Sequence, residues 1–379
     1  MDPASKANQT LRSTGILGSQ TLREMIKACR IEADTAINEH QIQPASLDLR
    51  LDSTAYRVRA SFLPGRNAKV ADKLSLLEMH RINLTEGAVL EKGCVYIVPL
   101  MERINLPNSV SGTANPKSST GRLDVFTRLI CDHTGEFEAV SAGYSGPLYA
   151  EISPRTFSIL VRRGSSLNQL RLRRGNPRAA DSAMRKLQKV DGLVHSESGE
   201  VDINDGVAIS VDLEGDTKTG LVGYRAKPHT ALIDVDRPDA HDVWDFWEPV
   251  LSHKNQLTEL ILNPDEFYIL MSKEYVSVPL DHAAEMRAYD TRVGEFRVHY
   301  AGFFDPGFGH AAAGGSGSRA VLEVRSHDVP FLIEDGQTVC RVVYEPMVEI
   351  PDKLYGLSGI GSHYQGQGLK LSKHFRAPI

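Results

Sequence analysis

The sequence predicts a mainly β protein with a few short helices, built as two tandem copies of one β unit. Three observations carry that expectation. From Ile42 to about residue 172, short apolar runs are separated by Gly, Pro and Asn, as in Gly93–Leu100, Val125–Cys131, Pro147–Ile152 and Phe157–Val161. Such spacing suits a sandwich or barrel-like fold rather than alternating strand–helix units. The second half then replays the first, four segments recurring in the same order at similar spacing. Gln43–Leu49 is answered by Lys227–Val235, Leu90–Val98 by Leu262–Leu270, Leu106-Pro107 by Val278-Pro279, and Arg163–Arg171 by Glu334–Val342. Finally, helical periodicity is confined to two short stretches.

Along the chain, residues 1–19 form a polar segment. Ser19 suits an N-cap for a helix over Thr21–Ile31, with Leu22, Met25, Ile26 and Cys29 on one face. Ile42–Leu51 alternates apolar and polar in its second half, as a half-buried strand does. The first unit spans 20–175. A connection at 176–205 follows, with a short basic helix over Ala179–Val190 and the polar run His195–Glu200. The second unit spans 206–350 and carries a Gly-rich surface insertion at Ala311–Ser318. Residues 351–379 have no counterpart in the first unit. Their glycine-rich run Ser358–Gly368 cannot nucleate a core and reads either as a frayed end or as a lid over a ligand.

Composition narrows the function classes. At 379 residues the chain suits two domains, and a net charge of −5 gives no global pull toward nucleic acid or membrane. A phosphate site would therefore be a local cluster of cations. No apolar run reaches membrane-spanning length, and Met1–Gln20 lacks the apolar stretch of a secretory leader. Cys29, Cys94, Cys131 and Cys340 are scattered with no C-x-x-C, which reads as reduced thiols in core packing and a cytoplasmic protein.

The densest chemistry is Lys117-Ser118-Ser119-Thr120-Gly121-Arg122, which packs two cations, three hydroxyls and a glycine into six residues. Glycine lets backbone N–H groups approach a ligand, hydroxyls donate hydrogen bonds, and arginine forks onto phosphate oxygens. Glu151 and Glu323 each sit inside an apolar strand at the same place in the two copies. A carboxyl on an inward face would have a raised pKa and could accept and return a proton near neutrality, whereas on an outward face it would simply be solvated. The preceding hairpins differ: Ser141 stands in the first where Asp305 stands in the second. His195-Ser196-Glu197 has the H-x-E of zinc deaminases, but no P-C-x-x-C follows. There is no Walker loop, G-x-S-x-G or dinucleotide fingerprint.

Together, Q-P-A-S-L-D-L-R-L at 43–51, K-S-S-T-G-R at 117–122, F-D-P-G-F-G at 304–309, V-L-E at 321–323 and Y-Q-G-Q-G at 364–368 resemble the dCTP deaminase family. The resemblance covers about residues 20–172 and 205–370, in a long form with two repeats. It implies two dUTPase-like distorted β-barrel (β-clip) domains and hydrolysis of dCTP to dUTP and ammonia without zinc, Mg²⁺ riding on the triphosphate. In that picture Glu323 activates the water that attacks C4, with Ser118 and Arg122 as catalytic partners. Lys117, Ser119, Thr120 and Gly121 hold phosphates, Asp305 meets the deoxyribose, and Val321 and Leu322 contact substrate. Tyr355, His363, Tyr364 and Gln367 close over the phosphates. The resemblance further implies a homo-oligomer, trimeric or pseudo-trimeric, with dTTP as an inhibitor, and no nucleic-acid or membrane partner.

The departures from that pattern are informative. Opposite the Lys-Ser-Ser run, the second copy has Arg287-Ala288-Tyr289-Asp290-Thr291-Arg292, and Ala288 supplies no hydroxyl. Each copy has thus lost the half that the other retains. The expectation is one composite site, phosphate and hydroxyl donors from the first copy, hairpin, glutamate and tail from the second. Glu151 and Arg292 then mark either a second site or a vestige. Two other readings remain open: an enzyme that also or only cleaves dUTP, and a catalytically silent nucleotide-binding regulator.

Overall fold

The computed structural model describes residues 12–196, 199, 201–252, 259–287, 297–298 (backbone only), 302–326, 329–357, 366 and 368–376. Eight strands of the first half run Ala88–Leu90, Val95–Asn105, Val110–Pro116, Val125–Cys131, Ala139–Val140, Ser145–Pro154, Ile159–Val161 and Asn168–Arg174. The second half repeats them as Glu259–Leu262, Phe267–Val276, His282–Arg287, Arg297–Val298, Phe303–Phe304, Ser318–Arg325, Phe331–Glu334 and Thr338–Pro346. In each run the first strand pairs with the seventh, the second and fourth with the sixth, and the third with the fifth and eighth, all antiparallel. Register is repeated too: Glu151 faces Ile97 and Glu323 faces Ile269. Because side chains alternate across a strand, equal register puts both glutamates on the equivalent face of their sheets.

What covers that face differs between the halves. In the strand Ser318–Arg325, Ala320, Leu322 and Val324 pack into the core of the second half, together with Tyr268 and Leu270. The alternate residue Val321 joins Ile269, Phe267 and Trp247 in the larger core, which is built mostly from the first half. The second-half sheet is therefore sandwiched between two cores, and its odd-numbered face looks onto the first half. In the first half the matching face is closed locally. The helix Val70–Leu77 lays Val70 and Leu74, one turn apart, over Ile97 and Ile130, with Tyr149 and Phe137 packed alongside.

The short helices depart from the sequence expectation at their ends. The first spans Ser19–Lys27 with Gly18 at its cap; Leu22 and Met25 are buried as expected. Cys29 is not on the core face: it is exposed, in the left-handed region at φ 54°, and the chain enters a strand at Ile31–Ala33. Cys131 and Cys340 are buried. The connection helix runs Asp181–Asp191 and stops at Gly192, φ 62°. The helix Val70–Leu77 went unpredicted because two buried positions are too few to set a period. The Ala311–Ser318 run is not simply a surface insertion, since Ala313 and Ser318 are buried.

The run Ser358–Gly368, read as a frayed end or a lid, lies outside the described residues except for Gly366 and Gly368, but the chain after it is anchored. Beyond the glycine-rich run, Leu371, Ser372, His374 and Phe375 are all buried. The Phe375 ring packs at a tilt against Phe246, centroids 5.4 Å apart, and edge-to-face against Trp247 at 5.9 Å, and Asp239 N–H and Ala240 N–H donate to Lys373 O and His374 O at 3.0 Å. Composition hid this because the four anchoring residues follow eleven of which only Ile360 and Tyr364 are large and apolar or aromatic. Phe375→Ala is expected to cost about 3–5 kcal/mol, as for other buried aromatics, read as a lowered midpoint in urea unfolding. Among the described residues no helix is long and apolar enough to cross a membrane.

Candidate active site

The site begins where the strand Val110–Pro116 ends in proline and the chain turns. Lys117 N–H is held by Leu167 O at 2.9 Å, and its carbonyl accepts from Thr120 N–H at 2.8 Å and Gly121 N–H at 3.0 Å. The result is the single turn Ser118–Gly121, whose successive side chains fan out around the turn rather than lying on one side of it. Ser118, Ser119, Gly121 and Arg122 reach a cleft of about 330 Å³, and Lys117 enters it paired with Asp48. Thr120 does not line the cleft; it is buried on the other side of the turn, so its hydroxyl is removed from the proposed substrate contacts. Arg122, 4% exposed, donates to Lys370 O at 2.7 Å, which ties the turn to the buried chain end. Ser372 Oγ adds a second tie, 2.7 Å from Ser119 O.

The opposite wall comes from the second half. Val321 and Glu323 face the cleft because the strand Ser318–Arg325 turns its even-numbered side to the other core. For the same reason Leu322, buried among core residues, does not reach the cleft, contrary to the sequence expectation. Glu323 Oε1 lies 4.0 Å from Arg122 Nε. Burial pushes its carboxyl up to about 8; Arg122 opposes that shift and Asp124 adds to it. The Phe303–Phe304 strand brings Asp305 to the floor, where Ser141 has its place after the matching strand Ala139–Val140.

Asp305 is held by a residue the motifs did not single out. Arg171 donates to Asp305 Oδ1 at 3.3 Å and to Ala284 O at 2.9 Å, and its guanidinium lies 3.9 Å from the Phe303 ring. Burial raises the Asp305 carboxyl, and the arginine opposes this. At Gly307, φ 96°, a Cβ would fall 2.8 Å from Tyr355 O, so only glycine lets the tail pass this close to the hairpin. Tyr355 N–H donates to Pro306 O at 2.9 Å, and Tyr355 lines the cleft.

Of the sequence-derived candidates, the cleft thus gathers Lys117, Ser118, Ser119, Gly121, Arg122, Asp305, Val321, Glu323 and Tyr355. His363, Tyr364, Gln367 and Arg292 lie outside the described residues. Asp48, Gln169 and Lys373 also line it. Asp48 sat in the quoted Q-P-A-S-L-D-L-R-L motif without a role; Lys373 offered no signal, because its place depends on the buried anchors beside it. Its ammonium is pushed down by burial and by Lys117, so two lysines share one corner of the cleft.

Glu151 occupies the equivalent position and a different environment. Arg128 grips it at 3.1 and 2.5 Å and lies 3.5 Å from the Phe137 ring, while the second carboxylate oxygen is buried without a hydrogen bond. It does not line the cleft of the other half. Among the described residues no group of three or more His, Cys, Asp and Glu is placed to hold a metal.

Comparison with known proteins places both halves of the chain. Residues 13–176 match the family model of the 2'-deoxycytidine 5'-triphosphate deaminase N-terminal domain, and residues 180–375 match that of its C-terminal domain. A crystal structure of 2'-deoxycytidine 5'-triphosphate deaminase from Agrobacterium tumefaciens is 56% identical, with a TM-score of 0.85 over 90% of this chain and 100% of that one. Among curated proteins, "dCTP deaminase, dUMP-forming" of Methanobrevibacter smithii is 30% identical over 136 residues, 35% of this chain and 65% of the relative. The protein of that same name from Parafrankia sp. is 31% identical over 156 residues, 41% of this chain and 74% of the relative. The chain therefore spans somewhat less than two thirds of the first of these relatives. With both halves matched in order and the cleft built between them, the chain belongs to the dCTP deaminase family.

Proposed function

We propose that the cleft binds dCTP and exchanges the 4-amino group of its cytosine for oxygen, giving dUTP and ammonia. The observation that carries this reading is the meeting of Arg122 and Glu323, from opposite halves of the chain, 4.0 Å apart in one cleft. Ionised Glu323 takes a proton from water as the oxygen attacks C4, and returns it to the ring or the departing amino group as the C4–N bond breaks. Arg122 and Ser118 hold the water side of the ring, and Asp305, fixed by Arg171, receives the deoxyribose. Lys117 and Lys373 take the phosphates, an assignment their shared corner supports. The described lining supplies one histidine and no cysteine, a donor set that suits a carboxylate base rather than a zinc hydroxide. Mg²⁺ fits as part of the substrate, since Asp48 and Asp305 are each engaged by a cation of the protein. We read each half as a dUTPase-like distorted barrel, a reading that the repeated strand pairing supports.

The test is incubation with each deoxynucleoside triphosphate and Mg²⁺, with ammonia and pyrophosphate measured separately. Ammonia from dCTP alone is the expected result. The names of the curated relatives favour a second reading, in which the same cleft carries dCTP through to dUMP; equal ammonia and pyrophosphate would establish it. Because Glu323 must be ionised to act as base, kcat/KM is expected to rise with pH through a midpoint near 8. A flat profile from pH 6 to 9 would remove Glu323 from that role.

A further inference from the structure

A second ion pair lies directly behind the first, and the signs are crossed. On the loop after the site turn, Arg122 is followed two residues later by Asp124; on the facing strand, Glu323 is followed two residues later by Arg325. Arg122 meets Glu323, and Arg325 is paired with Asp124. Asp124 is 1% exposed and held from several sides. Its carbonyl accepts from Arg155 N–H at 2.9 Å, its carboxylate accepts from Thr156 Oγ at 2.6 Å, and its backbone is in the left-handed region at φ 55°. Arg325 in turn donates to Thr156 Oγ at 2.9 Å and to Asp265 O at 2.9 Å. Neither residue lines the cleft. Residues two apart on a strand share a face, so whatever fixes Arg325 also fixes the height of Glu323.

We propose that Asp124 and Arg325 form a positioning clamp between the two halves, which sets the place of Glu323 against Arg122 and tunes its charge. This rests on Glu323 being the base. Two charges removed from water are tolerated only as a pair, so the clamp admits one relative placement of loop and strand. Its electrostatic effect is separable from its mechanical one. Asp124 raises the Glu323 carboxyl and Arg122 lowers it. Glu323 is also felt by the Cys340 thiol of the strand Thr338–Pro346, which belongs to another sheet of the second half, while its cross-strand partner Ile269 carries no charge.

Asp124→Asn and Arg325→Met break the same pair with opposite charge consequences. The first removes a negative charge behind Glu323 and is expected to move the midpoint of the kcat/KM–pH profile down by about one unit. The second removes the positive charge paired with Asp124 and is expected to move it up. The double variant Asp124→Asn/Arg325→Gln should bring the midpoint back toward that of the unmodified protein, with kcat still lowered by about tenfold or more. KM for dCTP should stay within about threefold in all three, because the phosphate ligands are untouched. Midpoints that stay put, or that move in the same direction in both single variants, overturn the clamp's tuning role. If either single variant fails to fold, Arg325→Lys keeps the charge and loses the fork. It should hold the midpoint and lower kcat, and an unchanged kcat overturns the positioning role. If the unmodified protein releases no ammonia from dCTP, the functional reading fails first. The clamp is then read from the pH dependence of thermal unfolding, where the same opposite shifts are expected, and their absence overturns it.

Discussion

Glu323→Gln should abolish turnover and make the protein more stable. Loss of the base is expected to lower kcat by at least about 10³-fold, since glutamine keeps the shape and cannot take a proton. The stability gain follows from burial. The Glu323 carboxyl is raised from 4.5 to about 8 in the folded protein, so between those values the folded state holds a proton that the unfolded state has released. Stability from this group is therefore full below about pH 4.5 and is lost as pH rises toward 8. Glutamine is neutral throughout and escapes that loss. The variant should melt about level with the unmodified protein at pH 4.5 and increasingly above it as pH rises, by an order of a few kcal/mol once pH passes 8. Thermal unfolding at a series of pH values checks this. An inactive variant that is also less stable at high pH would place Glu323 in a structural ion pair instead.

Glu151→Gln should do the reverse. Glu151 holds the same register but is gripped by Arg128 under Phe137. Neutralising it leaves a guanidinium without its carboxylate. Complete burial of the pair would put the cost near 3–5 kcal/mol; Arg128 is 25% exposed, which brings the expectation to about 2–3 kcal/mol. Turnover of dCTP should be unchanged. Urea unfolding and a rate measurement on the same sample decide it, and a loss of rate comparable with that of Glu323→Gln would mean two working sites per chain.

Much of this arrangement could be read from the sequence because it is written in local order. The repeat was visible in four matched segments, and the strand order and register repeat in both halves. The complementary losses, Ser141 against Asp305 and Lys117–Arg122 against a run containing Ala288, pointed to a composite site. What stayed hidden depends on contacts distant in sequence. Arg171 reads as one of several basic residues in a strand until the fold lays it under Asp305. Lys373 is placed by Ser372, His374 and Phe375, whose partners are more than a hundred residues away. Thr120 and Leu322 were misplaced because a motif names neighbours together, whereas the turn fans its side chains around its axis and the strand sends adjacent ones to opposite faces.

Everything functional turns on whether Arg122 and Glu323 of one and the same chain share a site. Two inactive variants, Arg122→Met and Glu323→Gln, test this most directly when they are unfolded together, refolded as a mixture, and assayed for ammonia release from dCTP. With the site built within each chain, every chain in the mixture carries one broken half and activity stays at the level of the separate variants. Recovery of a substantial fraction of the unmodified rate would mean that the working pair forms between chains.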